Sequence, residues 1–245
     1  DRGAPPRLVA GRLSHGKSSG GPLPHLSPDS PERGPDMSTR LATGGRRIDR
    51  RSPVHFTFNG RRLQGYAGDT LASALLAEGQ MLVGRSFKYH RPRGVVASGA
   101  EEPNVLVNLG EGPRLEPNQR ATTTELFEGL AARSQNHWPS LDYDIGAVNQ
   151  ALARFLPAGF YYKMFIHPRP LWKYVYEPFI RQSAGLGRAP TEADPDTYQH
   201  YHAHVDVLVV GGGVAGLEAA RTAAASGKRV MVLEQGAHWG GRAVT

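Results

Sequence analysis

The stretch Val205–Ala220, with the sequence VDVLVVGGGVAGLEAA, constrains the fold of this chain more than any other. Its opening run is apolar except for Asp206, a pattern typical of a strand that is buried on both faces of a parallel sheet. Gly211, Gly213 and Gly216 follow in a G-x-G-x-x-G arrangement. In nucleotide-binding units the first such glycine makes a tight turn, the second admits a pyrophosphate and the third allows close helix–strand packing. The stretch therefore predicts the start of an α/β Rossmann-type FAD/NAD-binding domain.

The residues that follow continue this pattern. The alanine-rich segment VAGLEAARTAAASG predicts a helix that ends at Gly227, and KRVMVLE predicts a second strand that ends at Glu234. A carboxylate at this place accepts hydrogen bonds from ribose hydroxyls and repels a 2′-phosphate, so NAD or FAD is favoured over NADP. Gly240 and Gly241 resemble the second glycine pair of glutathione-reductase-like flavoproteins, and Arg242 is placed to reach phosphate or adenine. A degenerate unit that binds no nucleotide, with Arg242 as an ordinary surface residue, is the alternative.

The composition of the chain excludes several kinds of site and partner. The chain contains no cysteine, which excludes disulfides, thiolate metal sites and a cysteine-ligated iron–sulfur cluster made from its own residues. Residues 1–36 contain six Gly, seven Pro and five Ser, and we expect them to be a disordered tail or an upstream read-through, with translation beginning at Met37. No apolar run reaches transmembrane length, so no membrane association is expected. The net charge of +7 favours an acidic partner subunit or a phosphate over nucleic acid.

A small α+β domain of the ferredoxin-like β-grasp type is expected ahead of the glycine motif. VHFTFNG alternates in polarity and ends in Asn59-Gly60, a pair that tolerates positive φ at both turn positions and so predicts a hairpin. GDTLASALLAEG predicts a helix that is capped by Asp69 or Thr70 and ends at Gly79. PNVLVNL and QRATTTEL predict further strands. The expected divisions are a disordered tail over 1–52, the β-grasp domain over 53–130, an aromatic-rich connector over 131–203 and the truncated nucleotide-binding domain over 204–245.

Several longer motifs occur in an order that resembles one known family. They are RLATGGRRIDR, GDTLASALLAEG, VGRSFKYHRPRG, EEPNVLVNLG, FLPAGFYYK and the glycine stretch itself. Together they closely resemble the start of the alpha subunit of heterotetrameric sarcosine oxidases, over about residues 37–245. The resemblance implies that the first domain is like a [2Fe–2S] ferredoxin domain that has lost its cluster. Residues 93–104, where relatives would carry cluster ligands, read RGVVASGAEEPN.

The resemblance also implies cofactors, partners and a reaction. NAD would bind to this chain, FAD and FMN would be held in or against the beta subunit, and the partners would be the beta, gamma and delta subunits. The full cytoplasmic complex would demethylate sarcosine to glycine, reduce oxygen to hydrogen peroxide and pass the one-carbon unit to tetrahydrofolate. Because the family's later domains are missing from the 245 residues, we expect a fragment that is inactive alone. The alternatives are the alpha subunit of a related FAD-dependent amine or opine dehydrogenase, and a non-catalytic scaffold that binds a nucleotide.

Site residues are carried over from the resemblance onto the glycine motif and the second strand. The expected cofactor-binding residues are Gly211, Gly213, Val214, Ala215, Gly216, Glu234, Gln235, Gly241 and Arg242. The three motif glycines would contact the pyrophosphate, Val214 and Ala215 would donate backbone N–H groups, and Glu234 would bind the ribose. No catalytic residue and no metal ligand is assigned. Lys88, His90 and Arg91 are interpreted as part of a basic interdomain or intersubunit surface.

Overall fold

The computed structural model describes residues 9–12, 38–155, 159, 167–236 and 238–244; for Val9–Arg12, Phe179, Gln182, Ser183, Arg242 and Val244 it describes the backbone alone. The chain divides into two compact units. The larger unit is Ser27–Pro195, and the smaller unit is Asp1–Leu26 together with Asp196–Thr245. Most of the tail that was predicted to be disordered, residues 1–8 and 13–37, lies outside the described residues.

The secondary structure consists mainly of short strands. The strands are β1 (Val9–Arg12), β2 (Asp49–Phe58), β3 (Arg61–Ala67), β4 (Gly84–Arg85), β5 (Pro92–Arg93), β6 (Leu106–Leu109), β7 (Glu116–Arg120), β8 (Leu130–Ser134), β9 (Val207–Val210) and β10 (Val230–Glu234). The α-helices are α1 (Leu71–Ala77), α2 (Arg169–Leu171), α3 (Glu177–Ser183) and α4 (Val214–Ala225), with a π-helical turn, Trp172–Tyr176, between α2 and α3. Within the described ranges, no helix has the length and apolarity that crossing a membrane requires.

A five-stranded mixed sheet with one helix packed on it forms the larger unit. The strand order is β3-β2-β8-β6-β7, in which β2 and β8 run parallel and the other neighbours run antiparallel. Helix α1 contributes Leu71 and Leu75 to the core, where they join Phe56 of β2 and Val107 of β6. Burial of these side chains is the main stabilising contribution to such a domain. The arrangement agrees with the expected β-grasp class.

Local chemistry explains the first hairpin and the helix that follows it. Asn59 and Gly60 have φ of 50° and 79°, so the pair adopts the positive-φ turn that its sequence predicts. Thr70 caps α1 through a reciprocal pair of hydrogen bonds. The Ser73 amide donates to the Thr70 hydroxyl at 3.2 Å, and the Thr70 amide donates to the Ser73 hydroxyl at 3.0 Å. This capping box fixes where the helix begins, and Gly79, with φ of 71°, follows its end.

The larger unit begins before the predicted boundary at residue 53. Arg40 donates two hydrogen bonds to the carboxylate of Asp69, at 3.1 and 2.6 Å, and β2 already begins at Asp49. Residues 38–52 are therefore part of the folded unit and not of a tail. The prediction failed here because the contact joins residues 29 positions apart, which no local pattern reveals.

The predicted boundary at residue 130 is also misplaced. β8 pairs with β2 and β6 in the middle of the sheet, although its sequence, LAARS, contains few residues that favour strands. QRATTTEL was predicted as a strand, but β7 ends at Arg120 and a turn begins at Ala121. Pairing with β2 and β6 outweighs intrinsic preference in β8. After β7, the amides of Thr123 and Thr124 donate to the carbonyl oxygen of Arg120 and form a turn in place of a longer strand. Beyond β8, the described residues of the predicted connector form short helices and turns.

A parallel sheet and one helix form the smaller unit. The strand order is β1-β10-β9, and both pairs of neighbours are parallel. Helix α4 packs its Ala220 against Val230 and Val232 of β10. This is the predicted strand–helix–strand arrangement, but β9 is not buried on both faces as predicted, because its Leu208 and Val210 are exposed. Strand β1 lies inside the segment that was predicted to be disordered, so that prediction is wrong for Val9–Arg12. An edge strand is held through its backbone, and composition is a poor guide to it.

Candidate nucleotide-binding site

The glycine loop joins β9 to α4 in a turn that two of its glycines make possible. Gly211 has a φ of +107°, a conformation that residues with a side chain rarely adopt. A Cβ on Gly216 would lie 2.0 Å from the carbonyl oxygen of Gly211 and 3.3 Å from a side-chain carbon of Val209. Because Gly216 has no Cβ, the first turn of α4 packs directly on the end of β9.

Gly213 is not required by the chain's own packing. It has φ of −70° and ψ of 176°, which any residue adopts. A Cβ at Gly213 would meet no atom within 4 Å among the residues that the structure describes. The backbone of Gly213 is therefore accessible to a ligand, as the second glycine of a dinucleotide motif must be.

The start of α4 presents free backbone donors beside Gly213. Gly213 is the N-cap residue, and the first intrahelical hydrogen bond runs from the Leu217 amide to its carbonyl oxygen, at 2.9 Å. The amides of Val214 and Ala215 precede that bond and have no acceptor within the helix. Both residues are exposed. Together with the helix dipole, these donors create a positive potential that suits a phosphate group.

Glu234 turns its carboxylate toward the glycine loop. One oxygen accepts a hydrogen bond from the amide of Gly212 at 2.6 Å, and the other accepts one from the amide of Gly236 at 2.7 Å. The Gly236 amide, followed by the Gly212 amide, lowers the pKa of Glu234 below its ordinary value, and burial opposes this only in part. Glu234 is therefore an anion at neutral pH, and it lies where the loop and the end of β10 meet.

The second glycine pair lies against the first. The Gly240 amide donates to the carbonyl oxygen of Gly212 at 2.8 Å, and a Cβ on Gly241 would lie 3.1 Å from the Cα of Gly213. The ring of Trp239 covers Gly212 so closely that a Cβ there would lie 2.3 Å from it. Gly212 and Trp239 were not among the predicted site residues. The middle glycine of three consecutive glycines, at 212, was the only sequence signal that could have indicated this contact.

The predicted site residues gather at one end of the parallel sheet. Seven of them lie in the glycine loop, the start of α4, the end of β10 and the second glycine pair, as described above. Gln235 is exposed, and its backbone also contributes to the low pKa of Glu234. Arg242 lies in the 3₁₀ turn Gly241–Val244, and its side chain is outside the described part of the structure.

A separate polar cluster fixes the basic turn 85–93 of the larger unit. Nδ1 of His90 lies 2.6 Å from a carboxylate oxygen of Asp144, whose side chain is fully buried. Burial raises the pKa of Asp144, but the hydrogen bonds from His90 and two backbone amides outweigh it, so the pKa lies below its ordinary value. The Asn149 amide side chain donates to the carbonyl oxygen of Lys88 at 3.2 Å. These contacts hold the backbone of the predicted basic surface in place.

Two family models match the chain. Residues 51–137 match a 2Fe–2S iron–sulfur cluster binding domain, and residues 209–245 match an NAD(P)-binding Rossmann-like domain. Both matches confirm the expected fold classes. The residues of this chain do not fit a cluster, however, because the sequence contains no cysteine. Nor do the described residues contain a group of three or more His, Asp or Glu side chains that could hold a metal ion.

Three curated relatives share the name sarcosine oxidase subunit alpha. Sarcosine oxidase subunit alpha of Rhizobium meliloti (strain 1021) is 61% identical over 194 residues, which cover 79% of this chain and 20% of that protein. The chain is a homologue of sarcosine oxidase alpha subunits. Those of Corynebacterium sp. strains U-96 and P-1 are 33% and 35% identical, over 84% and 80% of this chain and 17% and 16% of their own lengths. The sequences thus confirm the resemblance that the motifs indicated.

The chain spans about a fifth or less of the length of these sarcosine oxidase alpha subunits. Among solved structures, L-proline dehydrogenase from P. horikoshii aligns with a TM-score of 0.38 and 16% identity, over 79% of this chain and 26% of that chain.

Proposed function

We propose that the smaller unit binds NAD and that the chain serves as the nucleotide-binding part of a sarcosine oxidase alpha subunit. One observation carries the proposal: the accessible backbone of Gly213, the free amides at the start of α4 and the anionic Glu234 converge on one loop. A loop of this kind offers donors to a pyrophosphate and an acceptor to a ribose.

Each residue of the proposed site has a distinct part in binding. Gly211 and Gly216 shape the turn, and Gly213 lets the pyrophosphate reach the backbone. Val214 and Ala215 donate their amides to phosphate oxygens. Glu234 accepts hydrogen bonds from ribose hydroxyls, and its charge disfavours a 2′-phosphate, so NAD is preferred to NADP. The remaining proposed contacts are Gln235, Gly241 and Arg242.

In the complete enzyme, the chain would support oxidative demethylation of sarcosine. The relatives' name, which includes "subunit", supports an assembly of several chains. In the proposed reaction sarcosine loses its methyl group as a one-carbon unit that tetrahydrofolate accepts, oxygen is reduced to hydrogen peroxide, and glycine is released. FAD and FMN would be held with the beta subunit, and gamma and delta subunits would complete a cytoplasmic complex. The larger unit would carry no iron–sulfur cluster.

Analysis of the bound nucleotides tests this function. The full-length protein that contains this chain is co-expressed with its partner subunits and purified, and the bound nucleotides are released by denaturation and identified by mass spectrometry. Peroxide formation is then measured with sarcosine. NAD together with flavin, and peroxide that depends on sarcosine, is the expected result. FAD alone without turnover that consumes oxygen would contradict the proposal and favour a related dehydrogenase.

A glycine substitution separates binding from folding in the same protein. Gly213→Ala introduces a methyl group where the chain itself has room, so the fold is expected to be retained. The same methyl group would obstruct a pyrophosphate, and NAD binding is expected to weaken by about tenfold or more, equivalent to ~1.4 kcal/mol or more. Ala219→Ser, at an exposed position of α4, is the matched control and should bind NAD as the parent does. Unchanged NAD affinity in Gly213→Ala would argue against this loop as the site.

A further inference from the structure

The segment 94–105 of the larger unit, here called the carboxylate loop, folds around one of its own side chains. Glu102 is only 1% exposed, although a glutamate is rarely buried without partners. One carboxylate oxygen accepts hydrogen bonds from the amides of Val96 and Ala97, both at 2.7 Å. The other oxygen accepts a hydrogen bond from the amide of Asn104 at 2.8 Å. Three backbone donors from both ends of the loop therefore converge on a single buried anion.

Other contacts connect the same loop to the sheet. The hydroxyl of Thr122 donates to the carbonyl oxygen of Gly99 at 2.7 Å, and the guanidinium of Arg120 donates to the carbonyl oxygen of Glu102 at 3.2 Å. Burial raises the pKa of Glu102, but the three amide donors outweigh it, and the net pKa lies below its ordinary value. The carboxylate is thus charged when it is buried, and the loop compensates that charge with its backbone.

The position of this loop in the domain indicates the role of the Glu102 carboxylate. The loop lies within the residues that match a 2Fe–2S cluster binding domain, between α1 and β6. A [2Fe–2S] cluster is held by four cysteine thiolates, and hydrogen bonds to its sulfurs tune it. This chain contains no cysteine, yet its loop still directs backbone amides inward toward an anion.

We propose that Glu102 is the internal anion that holds the carboxylate loop in shape, in place of the cluster for which this type of domain is named. The larger unit is then a scaffold that transfers no electrons of its own. This role concerns the larger unit alone and does not depend on nucleotide binding by the smaller unit.

Hydrogen exchange in the full-length protein, measured residue by residue, tests the role of the charge. In the parent protein the amides of Val96, Ala97 and Asn104 are expected to be protected. Glu102→Gln keeps the shape of the side chain but replaces one accepting oxygen with a donor, and exchange at these amides is expected to be about tenfold faster or more. Glu116→Gln, at an exposed position of β7, is the matched control and should leave exchange unchanged. Unprotected amides in the parent, or equal protection in Glu102→Gln, would overturn the proposal.

Chemical rescue distinguishes the charge from simple packing. Glu102→Ala leaves space for a small carboxylate, so added formate is expected to restore part of the lost protection, while neutral formamide at the same concentration should not. Formate and formamide acting alike would overturn the role as an anion. Should Glu102→Ala fail to fold, the parent and Glu102→Gln still decide the question.

Reconstitution with ferrous iron and sulfide tests the scaffold role directly. The parent protein is treated under anaerobic conditions and examined by visible absorption and electron paramagnetic resonance. No cluster signal is expected, and a [2Fe–2S] spectrum would overturn the proposal. NAD binding is measured in the same preparations and should be equal in the parent and in Glu102→Gln. If neither the parent nor Glu102→Gln bound NAD, the proposed function would be contradicted, but the result on the carboxylate loop would still stand.

Discussion

Gly213 and Gly216 lie three residues apart, yet different atoms constrain them. A Cβ on Gly216 would meet the carbonyl oxygen of Gly211 at a distance that no Cβ tolerates, whereas a Cβ on Gly213 would enter open space. We therefore expect Gly216→Ala to destabilise the smaller unit by about 1–3 kcal/mol, because the added methyl group separates α4 from β9. Hydrogen exchange of the α4 amides measures this change, and Gly213→Ala, which should change it little, is the control. Equal protection in the two variants would contradict the packing interpretation.

Glu234 makes the stability of the smaller unit depend on pH. Its pKa is lower in the folded chain than in the unfolded chain, so its contribution to stability is complete above the unfolded value of about 4.3. That contribution is lost as the pH falls through the lower, folded value. Acidification from pH 6 to about pH 3 is thus expected to destabilise the parent more than Glu234→Gln, as measured by hydrogen exchange of β10. Glu192→Gln, at an exposed position in the larger unit, should behave as the parent. Identical pH profiles for the parent and Glu234→Gln would contradict the expectation.

At the scale of elements, Arg40 and Asp69 connect the segment before β2 to the start of α1. The Asp69 side chain is fully buried and also accepts hydrogen bonds from the Tyr66 amide and the Ser73 hydroxyl. Asp69→Asn keeps the shape but leaves the largely buried guanidinium of Arg40 without its counter-charge, and we expect a loss of about 3 kcal/mol or more in the free energy of unfolding. Urea unfolding followed by circular dichroism measures it.

The control for this ion pair is Asp49→Asn, which removes an exposed pair with Arg51. Exposed pairs contribute about 1 kcal/mol at most, so its unfolding midpoint should stay close to that of the parent. If the unfolding midpoint of Asp69→Asn shifted as little as that of Asp49→Asn, the buried pair would not be a structural link.

Elements whose cause lies within a few neighbouring residues could be predicted from the sequence. The Asn59-Gly60 turn, the Thr70 cap and the glycine loop carry their geometry in local residue chemistry, and the structure has them where the sequence indicated. β8 could not be predicted, because Ala and Arg gain their strand conformation only by pairing between β2 and β6. The carboxylate of Glu102 was missed for a different reason, because its donors lie only two to six residues away but no residue pattern in the segment marks the side chain as buried. A glutamate in a polar loop gives no sign that three amides will enclose it.

At the scale of the whole chain, apolar side chains on β9 and the start of α4 are exposed. Leu208, Val210 and Val214 are 52%, 79% and 61% exposed, and β9 is an edge strand of the described sheet. Exposed apolar patches and open strand edges favour association between molecules. We expect the 245-residue chain to self-associate as its concentration rises, and Val210→Lys to reduce that association. Light scattering after size-exclusion chromatography measures it.

The matched control for this surface is Leu41→Lys, which alters an equally exposed side chain of the larger unit, 78% accessible. Leu41→Lys should associate to the same extent as the parent, as measured by light scattering. Equal reduction by both variants would show that added positive charge, and not the edge of β9, limits the association.

The two hydrogen bonds that Glu234 already accepts have a consequence for how a ligand is chosen. Each carboxylate oxygen accepts one of these amides and keeps a second lone pair, so at the proposed site a ribose hydroxyl would reach the carboxylate without displacing Gly212 or Gly236. The two amides hold the acceptor in place before a ligand arrives, whereas a phosphorylated ribose would meet a full negative charge. We therefore expect discrimination at this position to combine a pre-positioned acceptor for the hydroxyls with a penalty against the phosphate.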